Sequence, residues 1–253
     1  MLTFAHDDSE QRLAAYWDEY VEDGRRGPRH VLAHVRQSWQ AWSAIRRLPV
    51  LDANPSDSPG GRAVRSVLEA RASYGVPGRL LGTAVLEVPP VPDDYLEGRR
   101  AQTLRRKIRS AHKRGLAVRR VADPAERRAL LGVANSAEQT HGDPAYRVTA
   151  PNNDDLLQHD VWLVVESPEG TPLLLSVTPH DGEFATLRYF RTLGSGVAHT
   201  DARYLATSAL VSELAERAVR YLIDTATPPE QTNGLRHFQR MVGFRYARVR
   251  LRS

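Results

Sequence analysis

A mixed α/β fold is what this sequence predicts, an α+β sheet with helices packed against it, and three observations carry that reading. From residue 115 onward, short apolar runs alternate with segments of helical period. The chain has 253 residues, 41% hydrophobic, enough for one or two domains with a real core. Finally, it has no cysteine, which excludes disulfide scaffolds, zinc ribbons, iron–sulfur clusters and thiol nucleophiles.

The first hundred residues are less regular. Apolar spacing predicts helices over residues 10–21 and 30–46, with Trp17, Trp39 and Trp42 as core anchors. The turn cluster at 54–61 ends that region, and a helix over 62–74 follows. Residues 80–88 read as a strand stopped by Pro89, Pro90 and Pro92; Asp93 or Asp94 then caps a helix running to Gly115. On that helix Ala101, Leu104, Ile108 and Ala111 make a thin apolar stripe, and Arg105, Arg109 and Lys113 form a basic column.

The second half is clearer. A strand at 116–121 precedes a helix from Asp123-Pro124 to about Gln139. Runs at 161–165 and 173–177 form a hairpin, and 184–190 is a third strand of alternating pattern. Thr200 or Asp201 caps a long helix to about Arg220, with Glu213, Glu216, Arg217 and Arg220 on its wet side. Residues 221–225 are a buried strand, 234–241 a short helix and 244–251 the closing strand. A right-handed crossover through the long helix sets 221–225 parallel to 184–190. Ligands in such sheets bind at strand ends where the order switches.

Charge is unevenly spread. The net charge is +5, yet Arg99–Arg120 holds ten Lys/Arg and no Asp or Glu, so the remainder of the chain sums to −5. Ten cations on adjoining turns repel one another, with little intrahelical pairing to relieve them, and a polyanion would relieve that repulsion by counterion release. A solvated face is the alternative. The N-terminus has no signal-peptide pattern and no segment approaches the ~18 apolar residues of a membrane span, so a soluble, cytoplasmic protein is expected.

The succession over residues 115–253 resembles the GNAT acyltransferase superfamily, with Asn233-Gly-Leu-Arg-His-Phe-Gln-Arg-Met-Val-Gly-Phe244 like its last helix and the Gly-Phe that follows. The form Gly-Leu-x-x-Phe-Gln-Arg, together with the basic helix 104–114, Gly115 and the strand after it, is similar to the Fem-like branch of aminoacyl-tRNA-dependent ligases. Gln239 stands where that branch usually has Lys. Phe238 and Gln239 stand where many acetyltransferases place an acidic tyrosine. The resemblance implies a GNAT-like core at 115–253, a basic helix at 99–114, and an N-terminal α/β extension at 1–98 that reads at most as a degenerate partner half.

It further implies transfer of an acyl or aminoacyl group to an amine of a small molecule or peptide, with aminoacyl- or acyl-tRNA as donor and no resident cofactor. Arg99, Arg100, Arg105, Arg106, Lys107, Arg109, Lys113 and Arg114 would track tRNA phosphates, with Arg236 and Arg240 near the mouth. Arg191-Thr-Leu-Gly-Ser-Gly196 fits the loop that holds the coenzyme A pyrophosphate, through Arg191, Gly194, Gly196 and backbone N–H groups at a helix start. The helix read as starting only at Thr200 leaves an ordinary glycine-rich turn as the other option, and acyl-coenzyme A as the second donor.

For the chemistry, Asp224 ends a buried strand at the switch point and either caps the next loop or takes the acceptor's proton. His237 suits the same proton transfer. Glu138 and His141 end a helix facing the sheet, and Tyr189 and Arg188 take opposite faces of their strand, so at most one points into the slot. The splayed strands 184–190 and 221–225 would hold the donor carbonyl on a free amide. His30 and His34 sit one helical turn apart without a third ligand of suitable spacing, so no metal is expected. No Gly-x-Ser-x-Gly elbow occurs. A non-catalytic RNA-binding module on such a core is the remaining alternative.

Overall fold

A computed structural model describes residues 8–23, 27–72, 75–144 and 147–252. In chain order, α1 (Asp8–Glu22), α2 (Pro28–Ala33) and α3 (Val35–Arg47) lead into β1 (Val50–Ala53), α4 (Pro59–Glu69) and β2 (Thr83–Glu87). Then come α5 (Gln102–Lys113), β3 (Ala117–Arg120), α6 (Pro124–Gln139), β4 (Trp162–Glu166), β5 (Pro172–Val177), β6 (His180–Asp181), β7 (Phe184–Thr186) and β8 (Tyr189–Thr192). The chain closes with α7 (Val197–Glu216), β9 (Tyr221–Ile223), α8 (Asn233–Val242) and β10 (Arg245–Leu251).

The mixed α/β architecture is the one expected, built on two sheets. One has six strands in the order β1-β10-β2-β9-β7-β6, the other four in the order β3-β4-β5-β8. The four-stranded sheet is antiparallel throughout, whereas β1–β10 and β7–β9 are parallel pairs in the larger one. Strand β2 sits between β10 and β9, so strands from both ends of the chain share one sheet. Helices α5 and α7 pack over a core that includes Leu104, Ile108 and Ala111 from α5 and Leu205, Leu210 and Leu214 from α7.

Several boundaries differ from the sequence reading, each for a local reason. The helix expected from residue 93 to 115 is a 3-10 turn (Pro92–Leu96) and then α5, because Gly98 turns the chain at φ 74° and Arg105 bonds back to the carbonyls of Leu96 and Gly98. Helix α4 starts earlier, at Pro59, because the Ser58 hydroxyl accepts from the Gly61 amide as an N-cap, and it ends at Glu69.

Trp39 and Trp42 are exposed rather than core anchors, while Trp17 is buried. Helix α3 turns Ala41, Ala44 and Ile45 toward the core, where they join α1 residues Leu13, Tyr16 and Trp17, and the two indoles fall on the other side. Glu213, expected on the wet side of α7, is buried and ion-paired with both Arg120 and Arg217.

Candidate active site

The strand read as 184–190 is two strands. β7 pairs in parallel with β9 from Phe184↔Tyr221 to Thr186↔Ile223, and the last bond between them runs from the Leu187 amide to the Ile223 carbonyl, 2.9 Å. There the chains part. The Arg188 amide turns back to the Thr186 carbonyl, β8 joins β5 of the other sheet, and the Asp224 amide bonds the Ala84 carbonyl on β2. The parallel pair expected from the crossover is therefore present over three residues, after which the neighbouring segments diverge into different sheets.

Asp224 lies at this divergence, buried. Its Oδ1 accepts from the Ala226 amide at 2.8 Å and its Oδ2 from Gln239 Nε2 at 2.9 Å. Burial pushes its carboxyl above the usual range, against the opposing pull of those two bonds and of the Arg203 charge. Gln239, standing where the Fem-like pattern has Lys, is thus the group that orients the acid. Phe238, next to Gln239 in the chain, lies 6.2 Å from Phe190 and edge-on to Tyr204 at 5.4 Å between ring centroids. The Arg203 guanidinium lies 4.0 Å from the Phe238 ring centroid, and burial lowers its pKa. Phe190, Arg203 and Tyr204 escaped the sequence reading because their contacts with Phe238 run between elements and leave no mark in a helical or strand period.

The other sequence-predicted groups fall elsewhere. Tyr189 faces the α6 side with Leu130, Ala134 and Trp162, away from Asp224. Its buried hydroxyl makes no hydrogen bond of normal geometry among the described residues, and burial, then the nearby Glu138 carboxylate, raises its pKa. Glu138 is buried between Arg191 Nη1 and Asn153 Nδ2, each at 3.5 Å. Arg188 makes a two-point bond to Asp155, at 2.8 and 3.0 Å, so its guanidinium is committed there rather than to Asp224. His141 lies beyond α6, exposed, its Nδ1 at 3.1 Å from the Asp143 backbone. His237 is exposed on α8. Arg236 is buried with its guanidinium already held by Asp18, Asn233 and the Pro228 carbonyl, and Arg240 reaches the same Asp18 at 3.5 Å.

The glycine loop is closer to the expected form than its spacing suggested. Gly196, at φ 111°, is itself the N-cap, and α7 begins at Val197 rather than Thr200, so the first-turn amides stand directly behind the loop without a side-chain cap. Asp201, expected as a cap, lies inside the helix and is buried. At Gly194 a Cβ would sit 2.5 Å from His199 Nε2, so a larger residue there would require the imidazole to turn aside. Arg191 projects from β8 beside this loop, half-exposed.

The basic block is divided by its surroundings. Arg114 Nε and Ser110 Oγ bond Asp201 at 3.1 and 2.8 Å, with Lys107 Nζ 3.9 Å away, which docks α5 on α7. Arg119 is neutralised by Glu126 and Glu166, and Arg120 by Glu213 and Glu216. Relief of the repulsion therefore comes partly from other elements. Arg105 leaves the expected column to bond Leu96 and Gly98, whereas Arg99, Arg100, Arg106, Arg109 and Lys113 remain exposed.

His30, His34 and Asp23 do meet, the third partner arriving from the end of α1: His30 Nδ1 is 2.9 Å and His34 Nε2 3.4 Å from Asp23 Oδ2. The two imidazoles stack at 4.6 Å and 25°, and one ligand atom from each of the three residues lies within 4.8 Å of the others. The third ligand that the spacing did not offer is thus supplied by Asp23, in a group that could hold a metal ion.

No protein-family model and no curated protein matches the sequence. Among solved structures, the chain is similar to the C-terminal domain of a putative lysylphosphatidylglycerol synthetase from Agrobacterium fabrum, at 16% identity and a TM-score of 0.47 over 65% of this chain and 58% of that one. It is also similar to L-PGS from Bacillus licheniformis, at 13% identity and a TM-score of 0.48, over 65% of this chain and 57% of that one. The chain thus spans under two thirds of the length of either structure.

Proposed function

We propose that this protein transfers an acyl or aminoacyl group from an activated ester to a nucleophile at the point where the chain after β7 leaves β9. The observation that carries the reading is the combination of that divergence, after the Leu187–Ile223 bond, with a buried carboxyl at its edge held by Gln239. In this reading the acceptor attacks the donor carbonyl carbon and its proton passes to Asp224. The bond from that carbon to the ester oxygen breaks, the oxygen leaving on the donor with the proton that Asp224 returns. A carboxyl whose pKa is raised is better matched to that proton than an ordinary surface aspartate. Holding both reactants between two diverging strands supplies proximity without a covalent enzyme intermediate.

The donor favoured is an aminoacyl- or acyl-tRNA. Arg99, Arg100, Arg106, Arg109 and Lys113 are exposed cations on or just before α5, which Asp201 fastens to α7, the helix that carries Arg203, whose charge acts on Asp224. A second donor, acyl-coenzyme A, is favoured by one specific feature, the start of α7 immediately behind Gly194-Ser195-Gly196.

The test is transfer from radiolabelled aminoacyl-tRNA to a panel of amine and hydroxyl acceptors, phosphatidylglycerol vesicles among them. Labelled product that RNase abolishes and Asp224→Asn reduces is expected. Transfer from acyl-coenzyme A alone would replace the donor. RNA binding with no transfer to any acceptor would overturn the enzyme reading in favour of an RNA-binding module.

A further inference from the structure

Five of the large apolar side chains exposed on this protein fall within twelve residues of α2 and α3: Val31, Leu32, Val35, Trp39 and Trp42. Leu32 is 76%, Val35 62% and Trp39 71% exposed, values at which isolated residues are ordinary but a cluster is not. Val35, Trp39 and Trp42 share one face of α3 at spacings of four and three, and Val31 and Leu32 precede them on α2. The side of α3 opposite them is already committed to α1 through Ala41, Ala44 and Ile45, so the stripe is surplus to the core. No strand or helix of the described residues covers it.

The charges around the stripe say what would. Residues 24–51 contain six arginines and neither Asp nor Glu. The acids that reach α2 and α3 come from α1 and its end, where Glu19 meets Gln37 and His34, and Asp23 meets His30 and His34. Four of the arginines, Arg29, Arg36, Arg46 and Arg47, are exposed on α2 and α3, and among the described residues none has an ion-pair partner. A second copy of the chain placed face to face on this surface would set arginines against arginines. RNA would satisfy the arginines but leave Val31, Leu32 and Val35 against a polyanion. An anionic lipid surface satisfies both: indoles and aliphatic side chains enter the headgroup boundary while guanidinium groups stay at phosphate level.

We propose that the α2–α3 face docks this protein on anionic membranes, lying in the interface without crossing it. The surface is separate from α5 and from the slot at Asp224, so it stands whether or not the transferase reading does.

The experiment is co-sedimentation of the full chain with vesicles of phosphatidylglycerol and phosphatidylcholine, compared with phosphatidylcholine alone, while tryptophan emission is followed. Trp17 and Trp162 are buried, so a shift of emission to shorter wavelength on binding reports Trp39 and Trp42. Binding to the anionic vesicles with a blue shift is expected, falling tenfold or more in Trp39→Ser/Trp42→Ser and in Arg36→Glu/Arg46→Glu/Arg47→Glu. Both sets are exposed, and an unchanged thermal transition would show that they fold.

Arg106→Glu/Arg109→Glu/Lys113→Glu separates this surface from the basic helix. Loss of vesicle binding in that variant, with Trp39→Ser/Trp42→Ser binding normally, would overturn the proposal. So would a concentration-dependent dimer in light scattering that the tryptophan variant abolishes, or protection of the two indoles by RNA but not by vesicles.

Discussion

Gln239 Nε2 donates to Asp224 Oδ2 at 2.9 Å, joining the last helix to the end of β9 where the two sheets diverge. The bond closes a short path: β9 ends, a loop carries the Ala226 amide back to Asp224 Oδ1, and α8 brings Gln239 to the other oxygen. The acid is thereby fixed in position while the neighbouring cation, Arg203, acts on it through its field rather than through a hydrogen bond.

Asp224→Asn removes a buried carboxyl whose folded pKa lies above its unfolded value. Such a group binds more protons folded than unfolded between the two values, so its stabilising contribution is complete below the unfolded pKa and is lost as pH rises through the folded one. Thermal unfolding of Asp224→Asn should therefore match or exceed the parent at neutral pH and lose that advantage toward about pH 4. A fall in transfer rate of about 10²–10⁴ is expected in the same variant if Asp224 takes the proton.

Asp201→Ala should loosen α5 from α7. It deletes the buried acceptor of Ser110 and Arg114, a loss of about 1–3 kcal/mol in denaturant unfolding. Arg114 is half-exposed and can turn to water, which places the expected value at the lower end. Weaker RNA binding with unchanged stability would instead show that Asp201 orients the basic helix without holding it.

Gly194→Ala should disturb the loop before α7, since its Cβ would meet His199 Nε2 at 2.5 Å. The obstacle is the end of a side chain, so His199→Ala should restore the thermal transition of the double variant to that of His199→Ala alone. Failure of that rescue would mean that the backbone, not the imidazole, makes the glycine necessary.

Tyr189→Phe removes a buried hydroxyl that makes no hydrogen bond of normal geometry among the described residues, so no desolvated partner is left unpaired and the thermal transition should not fall. Because the ring lies on the α6 side rather than beside Asp224, transfer should also persist. A large loss of rate in this variant would move the reacting centre to the Glu138–Arg191 side of the sheet.

Arg106→Glu/Arg109→Glu/Lys113→Glu should weaken RNA binding and flatten the dependence of log affinity on log salt, by nearly one unit for each phosphate that is no longer neutralised. The three side chains are exposed, so the melting transition should scarcely move. An unchanged salt slope would remove the basic helix from the donor site.

The order of helices and strands, the mixed α/β class and the position of the cationic block were legible in the sequence because they depend on local quantities: apolar period, turn residues, caps and charge count. Pairings between distant segments were not. Nothing near Trp39 distinguishes it from Trp17, and only the packing of Ala41 and Ala44 on α1 turns the first outward. Nothing near Arg105 or Arg114 marks them as structural, since their partners lie at Leu96 and Asp201. The strand read as continuous through 184–190 breaks because residues before Leu187 bond β9 and those after it bond β5, a choice made by two sheets rather than by the segment itself. Composition and period decide what each stretch becomes; which groups stand free to act is decided by the partners that the folded chain brings to them.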